Sequence, residues 1–346
     1  MDRRGRMTQN PQRFETVEES PVSSANVLRL LGVGLLLAIG WLAPATAEPG
    51  KVVVGTYINK MQEVSFKESK FTLDFYIWFR WKAAGELADY KPLDSMELIN
   101  GRIDGKTGII EKKIGDLNYA SARITATIFK TWGLETFPFD SHSVRVHVED
   151  SQFFASQLQF EPDLTNSRLG DEITVPGWKL SGFATEVVPK TYKSNYGDTT
   201  LPTDALSTYS RLTFGMDMNR EGWGSAIKLL STVIFATLVA FVAFGIKPSD
   251  VDPRFGLGVG ALFAVAASAF VVASTVPDSG LLTIADEVHV IAMAFIFASV
   301  VQSAICLKWD EAGLVEKYER VDFWSLILFP LAFLLLTLWM VFKAFR

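Results

Sequence analysis

The chain holds a single cysteine, Cys306, in 346 residues, so no disulfide can form within it. Any exported domain must be held by a packed core alone. Histidine is nearly as scarce: His142, His147 and His289 are the only three, and they lack metal-ligand spacing. No nucleophile motif and no phosphate-binding loop occurs. No catalytic residue, metal or cofactor is expected, and the chain does not read as an enzyme. There is no basic tract, and the formal charge of −5 argues against a nucleic-acid partner. Internal repeats and low-complexity tracts are also missing.

Apolar residues are plentiful, at 49%, and they are concentrated. Residues 1–26 and 50–222 have the character of a soluble protein, whereas 27–47, 223–246, 254–276, 284–307 and 323–345 are apolar runs. The first run follows Arg3, Arg4 and Arg6 and ends in Ala43-Pro44-Ala45-Thr46-Ala47. A basic lead, an apolar core and small residues at the end describe a secretory signal peptide cut after Ala47, with an uncleaved anchor as the alternative. The expected division is an N-terminal extension and signal peptide at 1–47, an exported domain at 48–222 and a membrane domain at 223–346. With no eukaryotic feature present, the expected location is a bacterial inner membrane, with the exported domain in the periplasm.

Residues 50–222 read as strands. Phe71 to Trp81 alternates, with Phe75, Ile77, Phe79 and Trp81 on one face and Tyr76 and Trp78 on the other. Further strands are expected at 52–57, 108–113, 119–129, 143–149, 157–161, 177–187 and 207–218. Turn signals separate them at Asn100-Gly101, Asp104-Gly105, Glu161-Pro162-Asp163 and Pro176-Gly177. Residues 62–69 are expected to form a loop. Many short strands without a helical pattern between them imply an all-β sandwich.

From residue 223 the period changes. The run 223–246 is long enough to cross a hydrocarbon core of about 30 Å at about 1.5 Å per residue. Residues 247–253 form a tight connector, and Trp309 to Arg320 reads as a charged linker before the last span. Basic residues fall at both ends of these spans, so orientation rests on the signal peptide. Along 254–276, the residues Gly256, Gly260, Phe263, Ala267, Phe270 and Ser274 recur at helical spacing. Such a stripe faces either a neighbouring helix or a central axis.

At Phe137-Pro138-Phe139-Asp140 a more specific pattern begins. It resembles the loop signature of the pentameric ligand-gated ion channels, the Cys-loop receptor superfamily. Lys130 and Val144 stand where animal members carry the bridging cysteines, as is usual in the bacterial branch. Phe75 to Trp81 resembles the second strand, Arg220 the arginine before the first span, and Arg254 to Val259 the inner end of the pore helix. Val276-Pro277, Thr283 and Asp286 follow at the family's spacing. The resemblance covers residues 50–345. Three features depart from it: Leu229 to Phe235 lacks a proline, Ala83 replaces an aspartate, and Ser95 to Asn100 lacks a tryptophan.

The resemblance implies an immunoglobulin-like β-sandwich followed by a four-helix transmembrane bundle, assembled as a homopentameric ring in the lipid bilayer. It implies a channel for inorganic ions opened by a small ligand or by protons. The stripe would line the pore, with Phe263 and Phe270 as apolar constrictions. Asp252 and Arg254 would supply the inner-mouth charge; the context of Arg254 is similar to anion-selective members, while Asp250 and Asp252 favour cations, and a cation-conducting channel is expected. Phe137, Pro138, Phe139, Asp140, Arg220, Pro277 and Thr283 would couple the two domains, although Asp140 could instead cap its own turn. Tyr76 on one subunit and Phe153, Tyr192 and Tyr196 on the next would bind an amine-like ligand by cation–π contact, unless these rings are strand packing. Lys190 to Asp204 would be a flap over that site. His142 and His147 are candidates for proton sensing. A non-conducting membrane sensor and a tethered small-molecule-binding protein are the alternatives.

Overall fold

Alternating burial builds the first half of the chain. In the computed structural model, which describes residues 48–199, 206–277 and 280–344, ten strands precede four long helices. The strands are β1 (Gly50–Ser65), β2 (Lys70–Trp81), β3 (Met96–Leu98), β4 (Gly101–Ile114), β5 (Leu117–Phe129), β6 (Ser141–Asp150), β7 (Leu158–Pro162), β8 (Arg168–Leu169), β9 (Trp178–Tyr192) and β10 (Ser207–Arg220). One sheet has the order β4-β5-β2-β1-β7, with β8 also paired to β1; the other has the order β3-β6-β10-β9. Every second residue of β2, from Phe71 to Trp81, points into the core. Facing them from the second sheet are Val144, Val146 and Val148 of β6 and Leu212, Phe214, Met216 and Met218 of β10. Phe75 and Phe214 meet across the gap at 5.0 Å between ring centroids. Such burial is the main source of stability where no disulfide exists.

Of the expected breaks, one is not a turn and another is shorter than expected. Asp104-Gly105 lies inside β4, where the pairing with β5 shifts between Ile103 and Gly105. The glycine marks a bulge rather than a reversal. Likewise β1 runs on to Ser65, so only Phe66 to Ser69 turns the chain. Glu63 takes a left-handed φ of 50° where the β1–β2 register slips.

The helices are α1 (Gly222–Phe241), α2 (Val251–Thr275), α3 (Ile284–Glu311) and α4 (Val315–Lys343). A 3₁₀ turn, Val242–Gly245, extends α1. All four are long and apolar enough to cross a membrane. The chain is thus a multi-pass membrane protein by length and hydropathy, and the signal peptide expected up to Ala47 lies outside the described residues. The charged linker expected at Trp309 to Arg320 is helical apart from Ala312, Gly313 and Leu314. Its Lys, Glu and Arg side chains are good helix formers. The break comes from Gly313, at φ 71°. Gly313 N–H donates to Asp310 O at 2.9 Å and Leu314 N–H to Trp309 O at 2.8 Å, which is the Schellman pattern. The last helix consequently starts at Val315, eight residues before the expected span.

In the bundle, α1 and α3 occupy the middle. α2 packs against both, and α4 packs on their other side. Edge-on contacts among Phe241, Phe244, Phe295, Phe329 and Phe333 fill the space between α1, α3 and α4.

Candidate functional site

Three features could carry function: a concavity in the β domain, the junction between sheets and helices, and the uncovered face of α2.

The concavity encloses about 620 Å³ beside the β9–β10 connection. Its walls include Glu97, Glu149, Asp150, Phe154, Tyr192, Tyr196 and Tyr209. Tyr192 stands at 6.0 Å from Tyr196 and 5.9 Å from Tyr209, edge-on to each, and Phe154 lies 5.2 Å from Tyr209. The buried Glu149 carboxylate accepts from Arg211 Nε at 2.6 Å and from the Tyr192 hydroxyl at 3.1 Å. Burial and then the Glu149 charge push the Tyr192 hydroxyl above its ordinary pKa. The Tyr209 hydroxyl is raised too, by burial and then by Tyr196, Glu149 and Glu97. An aromatic, acid-walled hollow of this kind suits a cation.

Four aromatics were expected here, and two line the hollow: Tyr192 and Tyr196. Phe153 does not. Asp150 Oδ1 accepts from the backbone N–H of Gln152 at 2.9 Å and of Phe153 at 3.1 Å, and Oδ2 from Ser95 Oγ at 2.6 Å and Tyr90 Oη at 2.9 Å. That turn sends Phe153 inward, edge-on to Tyr90 at 5.6 Å, and leaves Phe154 on the wall. Tyr76 is on the other sheet, 40% exposed, beneath the Arg123 guanidinium at 5.8 Å, and is not brought to the hollow within the chain. Of the proposed flap, Lys190 to Tyr192 belong to β9, and residues 200–205 lie outside the described residues. Sequence reasoning missed Tyr209, Phe154 and the Glu149–Arg211 pair. Period two along Ser207, Tyr209 and Arg211 would have placed Tyr209 on one face with Arg211, but the pairing of β6 with β10 is not visible in sequence.

At the junction, the loop after β5 meets α1 and α3. Its Phe137–Pro138 peptide is cis. Asp140, 1% exposed, accepts from Arg220 Nε at 2.7 Å and Nη2 at 2.9 Å, and from His142 Nε2 at 2.6 Å. Burial alone would raise the Asp140 carboxyl, but the hydrogen bonds from His142 and Arg220, with the Arg220 charge, outweigh it and hold it below the usual range. The Arg220 guanidinium also sits 4.3 Å from the Trp178 ring centroid and 5.0 Å from that of Phe137. Asp140 therefore does more than cap a turn. Ile284 N–H donates to Glu135 O and Ala285 N–H to Phe137 O, both at 3.2 Å, so the free N–H groups that start α3 are bound by the loop. Thr283 caps that helix: its side chain accepts from Asp286 N–H at 3.2 Å, while the Asp286 carboxylate accepts from Thr283 N–H at 2.9 Å. Phe139 packs against the helix core and faces the α1–α4 crevice. Pro277 follows Val276, the C-cap of α2, and is half-buried.

On α2, the residues Gly256, Gly260, Phe263, Ala267, Phe270 and Ser274 are all exposed, Phe263 at 73% and Phe270 at 76%. The buried face is Arg254, Gly258, Ala261, Val265 and Val272. Among the described residues nothing lies within 4 Å of a Cβ added at Gly256 or Gly260, so neither glycine serves packing among them. Gly258 does: an added Cβ would meet Val300 Cγ2 at 2.5 Å. The Ser274 hydroxyl donates to Val271 O at 2.7 Å. Arg254 departs from its expected place beside Asp252 at an open mouth. Asp252 is exposed, whereas Arg254 is 1% exposed and turned into the bundle, where it pairs with Asp322 of α4. A guanidinium leaving water needs a counter-charge, and Asp322 supplies it.

Compared with known proteins, the chain matches no family model and no curated sequence.

Proposed function

We propose that the chain is a subunit of a homopentameric ligand-gated ion channel of the bacterial inner membrane, with the β domain in the periplasm. The observation that carries this reading is α2: a membrane-length helix packed on one side by α1 and α3, with the stripe from Gly256 to Ser274 uncovered along its length. Five copies of that stripe around an axis would cover it and leave a pore narrowed at Phe263 and Phe270. The resemblance at Phe137 to Asp140 points to the same assembly, and the ion pair Asp140–Arg220 ties the loop after β5 to the end of β10, two residues before α1. In the ring, Tyr76 of a neighbouring subunit would close the hollow of Tyr192, Tyr196, Phe154 and Tyr209. Its acidic and aromatic walls favour a small amine. Exposed Asp250 and Asp252 favour cations at the inner mouth.

A ligand opens such a channel only if it binds the open and closed states with different affinity. The test is the native mass of the full chain in detergent, followed by bilayer currents during steps of a small primary alkylamine and steps of pH. A pentamer with amine-evoked current is expected. A monomer or dimer that persists in lipid leaves the stripe without a pore and ends the reading. One observation favours a silent sensor with the same fold: no polar side chain occurs in the stripe from Gly256 to Phe270. A pentamer that carries no current under either step is the outcome that would select it.

A further inference from the structure

The buried arginine of α2 has more to it than a structural tie. Arg254 lies near the start of α2, at the end of the bundle away from the β domain. Its Nη1 donates to Asp322 Oδ2 at 2.8 Å and to Ile246 O at 2.5 Å, and its Nη2 donates to Asp322 Oδ1 at 2.7 Å. Asp322 is itself oriented from α3: Gln302 Nε2 donates to its Oδ1 at 3.3 Å and Cys306 Sγ approaches the same oxygen at 3.4 Å. Ser325 Oγ in turn donates to Gln302 Oε1 at 2.9 Å. The clamp thus draws on α2, α3, α4 and the connector after α1.

Such a pair is an expensive way to hold helices together. Burying two charges costs several kcal/mol per ion, and apolar residues of similar size often serve stability as well or better. The clamp is also incomplete, since the buried Arg254 Nε has no hydrogen-bond partner among the described residues. What the pair does achieve is placement. Two residues before Arg254, Asp252 is exposed on the same helix, and Asp250 and Lys247 are exposed on the connector. A freed Arg254 side chain, long and flexible, could reach that surface and oppose the field of Asp252.

We propose that Asp322 is a selectivity-determining positioning residue: it withholds the Arg254 charge from the inner mouth and leaves the field there to Asp252. The proposal rests on the pore reading above. Charge at a constriction decides which sign of ion passes, so the reversal potential reports it, and a merely structural role would leave that potential where it is.

The experiment compares the full chain with Asp322→Asn and with the double variant Asp322→Asn, Arg254→Gln. Each is reconstituted in planar bilayers under a potassium chloride gradient and opened by a pH step or a small primary alkylamine. Asp322→Asn is expected to lower the potassium-over-chloride permeability ratio by about tenfold, because the freed guanidinium joins the mouth. The double variant is expected to stay within about twofold of the wild type, because no charge is freed and none was on display. An unmoved ratio in Asp322→Asn overturns the proposal. So does a raised ratio in the double variant, which would show that Arg254 already faces the pore. Should Asp322→Asn fail to assemble, the double variant, which buries no unpaired charge, decides alone. A wild type that carries no current overturns the pore reading and this inference with it. A conducting wild type with an unmoved Asp322→Asn overturns this inference only.

Discussion

Asp140 shows how much one carboxylate can organise. It is buried, it receives three hydrogen bonds from two cationic or protonatable side chains, and it joins the loop after β5 to the strand that leads into α1. Asp140→Asn keeps the shape and removes the charge, leaving Arg220 beside aromatic rings without a counter-ion. The expected cost is about 3 kcal/mol, read as a lower unfolding temperature of the full chain in detergent. The sign of its pH dependence follows from its depressed folded-state pKa. The stabilisation is present above the unfolded value, about 3.9, and is lost as pH falls through the folded value. Asp140 therefore titrates too low to sense protons near neutrality. His147 behaves differently. Burial, with Arg211 and Lys190 nearby, holds its pKa below the ordinary value. The unfolded chain then takes up the proton first, so stability falls as pH drops below about 6.5 towards the folded value. His147→Gln should flatten the slope of unfolding temperature against pH in that window and leave the loss below about pH 4 in place. An unchanged slope would assign the window to another group.

At the scale of elements, α2 separates glycines by what surrounds them. Gly258→Ala forces Val300 to move and should destabilise by about 1–3 kcal/mol. Gly260→Ala meets open space within the chain and should be neutral or stabilising by up to about 1 kcal/mol in a monomeric preparation. Unfolding temperatures of the two variants side by side check the contrast, and equal effects would refute it. Thr283→Ala removes the side-chain half of a capping box, leaving the Asp286 carboxylate on the backbone N–H of residue 283, and should cost about 1 kcal/mol, seen as loss of stability without loss of helix elsewhere. Much of this layer is legible in sequence. The alternation from Phe71 to Trp81 places β2, and apolar length places all four helices. Three things are not legible. Gly105 reads as a turn because local chemistry is the same in a bulge and a reversal; only pairing with β5 distinguishes them. The start of α4 is hidden because the residues after Gly313 are charged and carry no apolar run to mark a span, although they are good helix formers. Phe153 and Phe154 are interchangeable until Asp150 is known to turn the backbone between them and the core.

For the whole molecule, what covers the outer face of α2 decides the function. Within one chain this face is apolar and uncovered, and lipid or an axis of symmetry could each solvate it. The two environments make opposite demands on Phe263. Facing lipid, Phe263→Ser would place a hydroxyl in hydrocarbon and would affect only stability, modestly. Facing an axis in a pentamer, the same change would replace a ring of phenyl groups by a ring of hydroxyls and admit water where the wild type excludes it. The expected outcome is a rise in unstimulated conductance of about tenfold or more in single-channel recordings, because wetting a closed constriction opens a path that is otherwise dry. Phe270→Ser should act in the same direction from the next constriction. Phe297→Ser, on α3 and 65% exposed, is the control that should leave conductance alone. If all three variants are equally silent in a protein that conducts when stimulated, the gate is elsewhere, and the stripe is a lipid-facing or helix-packing surface.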